Sequence, residues 1–318
     1  MLITDRLLSL PQMFGCRAED LAELYRLLLE AADYVEVDAI ALAKIWDAVV
    51  LERTVLRLPY GGHMEDYPGF HHYVCPFFKL SNSPALLVEI PLDDLRWEQL
   101  RPYRGKERCL RIVGLNGLLF RDWRGGFASL LDLGNVELSP HNGRCCATAI
   151  AVEWIKAGGE RVVASFMGCG GGAPLEEALM AAHLGGLGVR PGALAALPAL
   201  KAVFQRALGR RIPSHKPILG DAIFEVESGI HVDGIMKNPE NYEPFPPELL
   251  GAARSIRIGK HSGEAAIKVK LAEYGIPFDS AQIGPLIRKI GETSIRLGRG
   301  LADPEFVELA ETFACGAW

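Results

Sequence analysis

The first two hundred residues alternate between short apolar runs and polar, glycine- or proline-marked breaks. The runs are Leu2–Leu10, Tyr34–Ala39, Val55–Pro59, His72–Pro76, Leu86–Pro91, Leu110–Leu115, Val136–Pro140 and Val162–Met167. They are too short for ordinary helices and are rich in Val, Ile and Leu, which fits strands buried on both faces. A helical period takes over between some of them. In Arg17–Ala32 the residues Leu21, Leu24, Leu27 and Leu28 share one face; Cys145–Ala157 is a second such segment, and a third starts near Leu175 after a glycine cluster. Buried strands interleaved with amphipathic helices predict a parallel sheet, and eight such strands predict a TIM (β/α)8 barrel.

The middle of the chain leaves little room for the helices of such a barrel. Between Pro59 and Val136 the connections include the irregular Gly61–Phe70 and Lys79–Pro84. A barrel of this type takes about 250 residues, whereas the barrel texture here stops near Gly209. The expected fold class is therefore α/β: a reduced or distorted TIM barrel over 1–212, followed by a linker and small α-rich subdomains over 213–318. In the second part Pro213, Pro217, Gly220, Gly229, Gly234 and Pro239 break up the pattern. Helices are expected at Glu264–Tyr274 and Ile283–Leu297, with Asp279-Ser280 as the cap region of the latter.

With 49% hydrophobic and 23% charged residues among 318, the composition is that of a chain with a proper core. A net charge of −5 and the lack of any Lys/Arg run argue against nucleic-acid binding. The start, Met1 to Arg6, has no charged region followed by an apolar one, so no signal peptide is expected. No apolar stretch reaches the ~18 residues of a membrane span. The seven cysteines are scattered and form no Cys-x-x-Cys pair, as expected for free thiols in a cytoplasmic protein.

Three blocks carry candidate chemistry. The first is Glu137-Leu-Ser139-Pro140-His141-Asn142-Gly143, where His141 is a possible metal ligand or simply a hydrogen-bonded core histidine. The second is Phe166-Met167-Gly168-Cys169-Gly170-Gly171-Gly172 before a helix, where backbone N–H groups could cradle an anion, or the glycines could mark a shortened turn. The third is Glu227-Ser-Gly-Ile-His231-Val-Asp-Gly234, followed by Asn238-Pro-Glu-Asn-Tyr242-Glu243 and Gly259-Lys-His261-Ser262-Gly263. His231 can act as acid or base near neutral pH and the Tyr242 hydroxyl can relay a proton; both could equally shape a subdomain or an interface. His71 and His72 would face opposite sides of a strand and so share no metal.

The third block resembles the region after the barrel in homocitrate synthases of the nitrogenase-associated type, and in isopropylmalate synthases more broadly. The resemblance implies an acyltransferase that condenses acetyl-CoA with a 2-oxo acid such as 2-oxoglutarate, using a divalent metal (Mg, Mn or Zn). It implies that His231 and Tyr242 reach a partner subunit's barrel and assist proton transfer. The barrel motifs of that family are degenerate here. Where it has Glu-x-His-x-His-Asn-Asp, this chain has Ser139, His141 and Gly143; Met167 replaces an Asn of the eighth strand. On the alignment through Asp5 and Leu8, the family's substrate Arg and metal Asp become Ser9 and Leu10.

The resulting expectation is a catalytically degenerate, homocitrate synthase-like subunit. It would form a homo- or heterodimer with a related synthase, keeping His231 and Tyr242 and retaining only His141 at the metal position. Two alternatives stay open. One is an active condensing transferase with a rebuilt site, for which Glu89 or Asp93 and Asp94 could supply a carboxylate at the strand ends. The other is a non-catalytic protein that binds an acyl-CoA or 2-oxo acid, with Arg111, Arg121, Arg124 and Arg144 as candidate anion partners.

Overall fold

The computed structural model describes all residues except 77–82, 84, 93–99, 101–103, 105–108, 121 and 315–318. The chain divides into two compact units, Met1–Leu219 and Gly220–Trp318.

In the first unit the apolar runs become β1 (Leu2–Asp5), β2 (Tyr34–Asp38), β3 (Thr54–Arg57), β4 (His72–Pro76), β5 (Leu86–Leu92), β6 (Leu110–Gly114), β7 (Val136–Pro140) and β8 (Arg161–Ser165). They pair in chain order and in parallel, and β8 returns to β1 with Leu2 opposite Arg161 and Asp5 opposite Ala164. The ring of strands is therefore complete. A short β9 (Ala173–Pro174) continues alongside β8. The helices are α1 (Ala18–Ala31), α2 (Ala39–Ile45), α3 (Trp123–Leu131), α4 (Ala147–Lys156), α5 (Leu175–Leu184) and α6 (Leu197–Leu208). The reduction lies in this outer layer: among the described residues, no α-helix stands between β3 and β6.

One apolar core cluster surrounds β6 to β8. Trp123, Phe127 and Trp154 stack edge-to-face, at centroid distances of 5.6 and 5.5 Å. Trp154 is buried and its indole N–H donates to the Arg161 carbonyl at 3.1 Å. Glycine is required at 159 because a Cβ there would sit 2.1 Å from the Trp154 ring. Inside the barrel, Val55, Val74, Leu87 and Cys109, with Tyr34 against them, form an apolar layer towards the N-terminal ends of the strands. Two residues further along several strands, the lumen turns from apolar to charged.

The second unit contains a two-stranded parallel sheet, β10 (Glu225–Val226) and β11 (Ser255–Ile256), and the helices α7 (Gly229–Lys237), α8 (Glu264–Glu273), α9 (Ser280–Leu297) and α10 (Asp303–Ala314). Val232, Ile267, Leu286, Ile290, Phe306 and Phe313 belong to its core. Asp279 caps α9 as expected, in a reciprocal capping box with Gln282. No helix among the described residues is long and apolar enough to cross a membrane.

Candidate functional site

The charged layer of the lumen is built from one residue on each of several largely apolar strands. Glu36 of β2 is fully buried; its Oε1 accepts from Arg57 Nε of β3 at 2.7 Å and from the Ser9 hydroxyl at 2.6 Å, and its Oε2 from Arg111 Nη1 of β6. Arg57 also forks onto Glu89 of β5, at 2.9 and 2.6 Å. Arg111 Nε reaches Glu137 of β7 at 2.7 Å, and the other Glu137 oxygen accepts from the Thr4 hydroxyl of β1 at 2.7 Å. Burial alone would raise the Glu36 carboxyl, but Arg57 and Arg111 outweigh it and hold it below the usual range. Burial likewise opposes ionisation of Glu89, and the Arg57 fork overcomes it. Arg6 Nε and Arg111 Nη2 are buried without an acceptor among the described residues.

Towards the C-terminal ends of the strands lie the positions where the resemblance would place a metal. Leu10 is buried and packs onto Gly170, where a Cβ would come within 2.8 Å of the leucine side chain. Ser139 is also buried. His141 follows β7, half-buried, with its backbone N–H on the Gly114 carbonyl at 2.8 Å and a bridge to Gly172. Gly143 abuts Asn116, whose side-chain Oδ1 accepts its N–H at 3.0 Å. Met167 adopts a left-handed conformation (φ 62°) and gives its N–H to Glu176 at 2.9 Å. Among the described residues, no three His, Cys, Asp or Glu side chains come together in a way that could hold a metal. Leucine, serine, glycine and a thioether do not suit a hard divalent cation. The residues present do not fit the family's metal.

Beneath this mouth sits Asp5, fully buried, accepting the Leu7 and Phe166 N–H groups at 2.8 and 2.7 Å. Burial pushes its carboxyl up to about 7, against the opposing pull of those two donors. Cys169 is likewise pushed up by burial, to about 11, which keeps its thiol protonated and inert near neutral pH. The glycine cluster forms turns: Gly168, Gly170 and Gly171 all have positive φ, and the Gly171 carbonyl accepts from the Asn142 N–H at 2.7 Å. Outside the mouth, Lys216 lies 2.9 Å from Glu176 and also pairs with Glu177.

Of the other candidates, Glu89 is bound by Arg57, and Arg111 is a lumen residue with no exposure. Arg124 stacks over Trp123 at 4.2 Å, and Arg144 is exposed. Arg121, Asp93 and Asp94 lie outside the described residues. His71 is exposed, while His72 packs edge-on against Tyr34 at 5.2 Å.

In the second unit, His231 and Tyr242 come together with ring centroids 5.8 Å apart, both on the surface. Their approach depends on Gly234, one turn along α7, where a Cβ would fall 2.2 Å from the Tyr242 ring. Ile230 and Met236 are 79% and 69% exposed, an unusual display of apolar side chains on so short a helix. Ser262 is structural: its hydroxyl accepts the Gly259 N–H at 2.9 Å, and the His261 N–H binds Glu227 at 3.0 Å.

Sequence reasoning missed the lumen network, although its signal was present. Charged residues interrupt the apolar runs at Glu36, Arg57, Glu89, Arg111 and Glu137, and the last three stand opposite one another in register.

Residues 218–296 match the family model described as homocitrate synthase post-HMGL domain-like. The chain is 36% identical over 208 residues to the homocitrate synthase omega subunit of Clostridium pasteurianum, covering 64% of this chain and 58% of that protein. It is 38% identical over 222 residues to 2-isopropylmalate synthase 2 of Caldanaerobacter subterraneus, covering 64% and 57%. It is 36% identical over 182 residues to homocitrate synthase 1 of a Nostoc species, covering 55% and 48%. The chain thus spans less than two thirds of the length of these relatives. Among solved structures, the HMG-CoA lyase of Bacillus subtilis superposes with a TM-score of 0.50 at 14% identity, over 67% of this chain and 95% of that one. An Acinetobacter baumannii HMG-CoA lyase gives 0.52 at 12% identity, over 77% and 97%. These two likenesses concern the barrel fold alone. On both sides of residue 218 the chain is thus similar in sequence to homocitrate and isopropylmalate synthases.

Proposed function

We propose that the protein is a catalytically degenerate, homocitrate synthase-like subunit that pairs with an intact synthase and lends it His231 and Tyr242. One contrast carries this reading. The mouth of the barrel has Leu10, Ser139, Gly143 and Met167 at the positions for metal and substrate, whereas His231 and Tyr242 sit together on an exposed face. A His and a Tyr in contact can pass a proton, but they lack a group to bind and polarise a 2-oxo acid. That group would come from the partner. The Clostridium relative is itself named as a subunit, in keeping with a divided synthase. An active site rebuilt around Glu89 is disfavoured, because Arg57 already takes both carboxylate oxygens.

The test is CoA release from acetyl-CoA and 2-oxoglutarate with Mg²⁺ or Mn²⁺. The chain alone is expected to give none. Mixed with a related synthase whose own arm His and Tyr have been replaced, it is expected to restore turnover, and His231→Ala is expected to remove that restoration. Release by the isolated chain would refute the proposal.

A further inference from the structure

Glu36, Glu89 and Glu137 share one barrel lumen, and their like charges need a counter-ion, for which a divalent cation would be one solution. We infer that Arg57 and Arg111 take the place of such an ion: the lumen is an internal ion-pair lock that holds the barrel together with no metal bound. This goes beyond the proposed function and stands whether or not the chain pairs with a synthase.

The donor geometry supports it. Each oxygen of Glu36, Glu89 and Glu137 already has a donor, from Arg57, Arg111, Ser9 or Thr4. A cation entering the lumen would have to displace a guanidinium that cannot give up its proton at any accessible pH. Two arginines serve three carboxylates because each planar fork reaches two of them: Arg57 holds Glu36 and Glu89, and Arg111 holds Glu36 and Glu137. A third contact puts Arg111 3.5 Å from Glu89.

The placement of the lock fits that role. It stitches β1 through Thr4, β2 through Glu36, β3 through Arg57, β5 through Glu89, β6 through Arg111 and β7 through Glu137. The Arg111–Glu36 pair spans the lumen instead of joining neighbouring strands. Arg57, Glu89 and Arg111 also lie on the side of the ring, β3 to β6, where no described α-helix supports the strands from outside. There the ties are made from within. A buried ion pair of this kind adds little relative to a well-packed apolar core, but breaking it leaves an uncompensated charge and is strongly destabilising. The network therefore acts as a constraint on which strands can meet.

The experiment uses the full chain and Mn²⁺ as probe. Paramagnetic resonance should show no loss of free Mn²⁺ on adding protein, and the Tm should be equal in EDTA and in Mn²⁺. Arg57→Met, at the more accessible end of the network, should lower Tm by roughly 5–10 °C, with Arg57→Lys recovering part of the loss. Mn²⁺ uptake that Glu36→Gln abolishes would overturn the inference. So would an Arg57→Met protein that melts like the parent.

Discussion

The barrel lumen and the His231 face treat polar chemistry in opposite ways. In the lumen, charged groups are buried and matched to one another: Glu36 and Arg111 have no exposure, and both oxygens of each carboxylate are occupied. His231 of α7 and Tyr242 beyond it meet at the surface beside the exposed Ile230 and Met236, and among the described residues no hydrogen bond to either ring fixes the pair. The first arrangement suits stability and leaves few donors for a ligand. The second contributes little to its own unit's core and is available to something else. On the proposed reading, the barrel keeps its fold without the chemistry at its mouth because the carboxylates left inside are satisfied. Function, if it persists, then depends on residues that the fold does not need.

The sharpest way to break this contrast is to remove one centre of the lumen network. Arg111→Met should cost about 3–5 kcal/mol, the usual penalty for orphaning buried partners of an ion pair. Here Glu36 and Glu137 would each lose a guanidinium donor. Urea unfolding monitored through Trp154, which is buried in the same unit, should show the loss as a lower midpoint. A loss below about 1 kcal/mol would mean the lumen charges are dispensable and the contrast is false.

A second, somewhat smaller effect concerns pH. The folded-state value of Asp5, about 7, lies above its ordinary 3.8, so the folded protein holds this proton more tightly than the unfolded chain. The stability this provides is complete below 3.8 and is lost as pH rises through 7. The full span corresponds to about 4 kcal/mol as an order of magnitude. Glu176, raised mainly by burial, acts in the same direction. Glu36 and Glu89, held low by arginines, act in the opposite one: their stabilisation is present above the usual carboxylate range and lost as pH falls below it. Stability should therefore peak in mildly acid solution and decline towards pH 8. In Asp5→Asn the decline between pH 5 and 8 should flatten, on a lower baseline, because an amide cannot accept both backbone N–H groups.

Much of the first unit was legible in the sequence because fully buried parallel strands are continuous apolar runs. Leu86–Pro91 and Val136–Pro140 needed no context to be read as strands, and the latter has the same bounds in the structure. Closure of the ring was not legible, since it depends on β8 finding β1 across some 160 intervening residues. The lumen network escaped for a related reason. A single Glu or Arg within a strand looks like a local exception until the register aligns it with its neighbours. Helices α6, α7 and α10 were not anticipated; α7 is short, with glycine at both 229 and 234, and carries a weak amphipathic pattern. His231 and Tyr242 were picked out by resemblance. Their contact follows from Gly234, which only coordinates could show.

The smallest effect on stability should accompany the most informative loss of function. His231→Ala removes an exposed ring and should leave the unfolding midpoint of the second unit within about 0.5 kcal/mol of the parent. Gly234→Ala asks more of the geometry. Alanine favours the helix by about 1 kcal/mol over glycine, but its Cβ would strike the end of the Tyr242 ring, 2.2 Å away. That ring is 46% exposed, so it can swing outward at low cost instead of unfolding α7. The expected outcome is a protein as stable as the parent in which the ring-current shift of Tyr242 on the His231 imidazole is lost, measured by proton NMR. Restoration of an arm-deficient synthase should fall in parallel with His231→Ala. If Gly234→Ala separates the rings yet restores turnover fully, the two residues act independently, and their contact is a by-product of packing on α7.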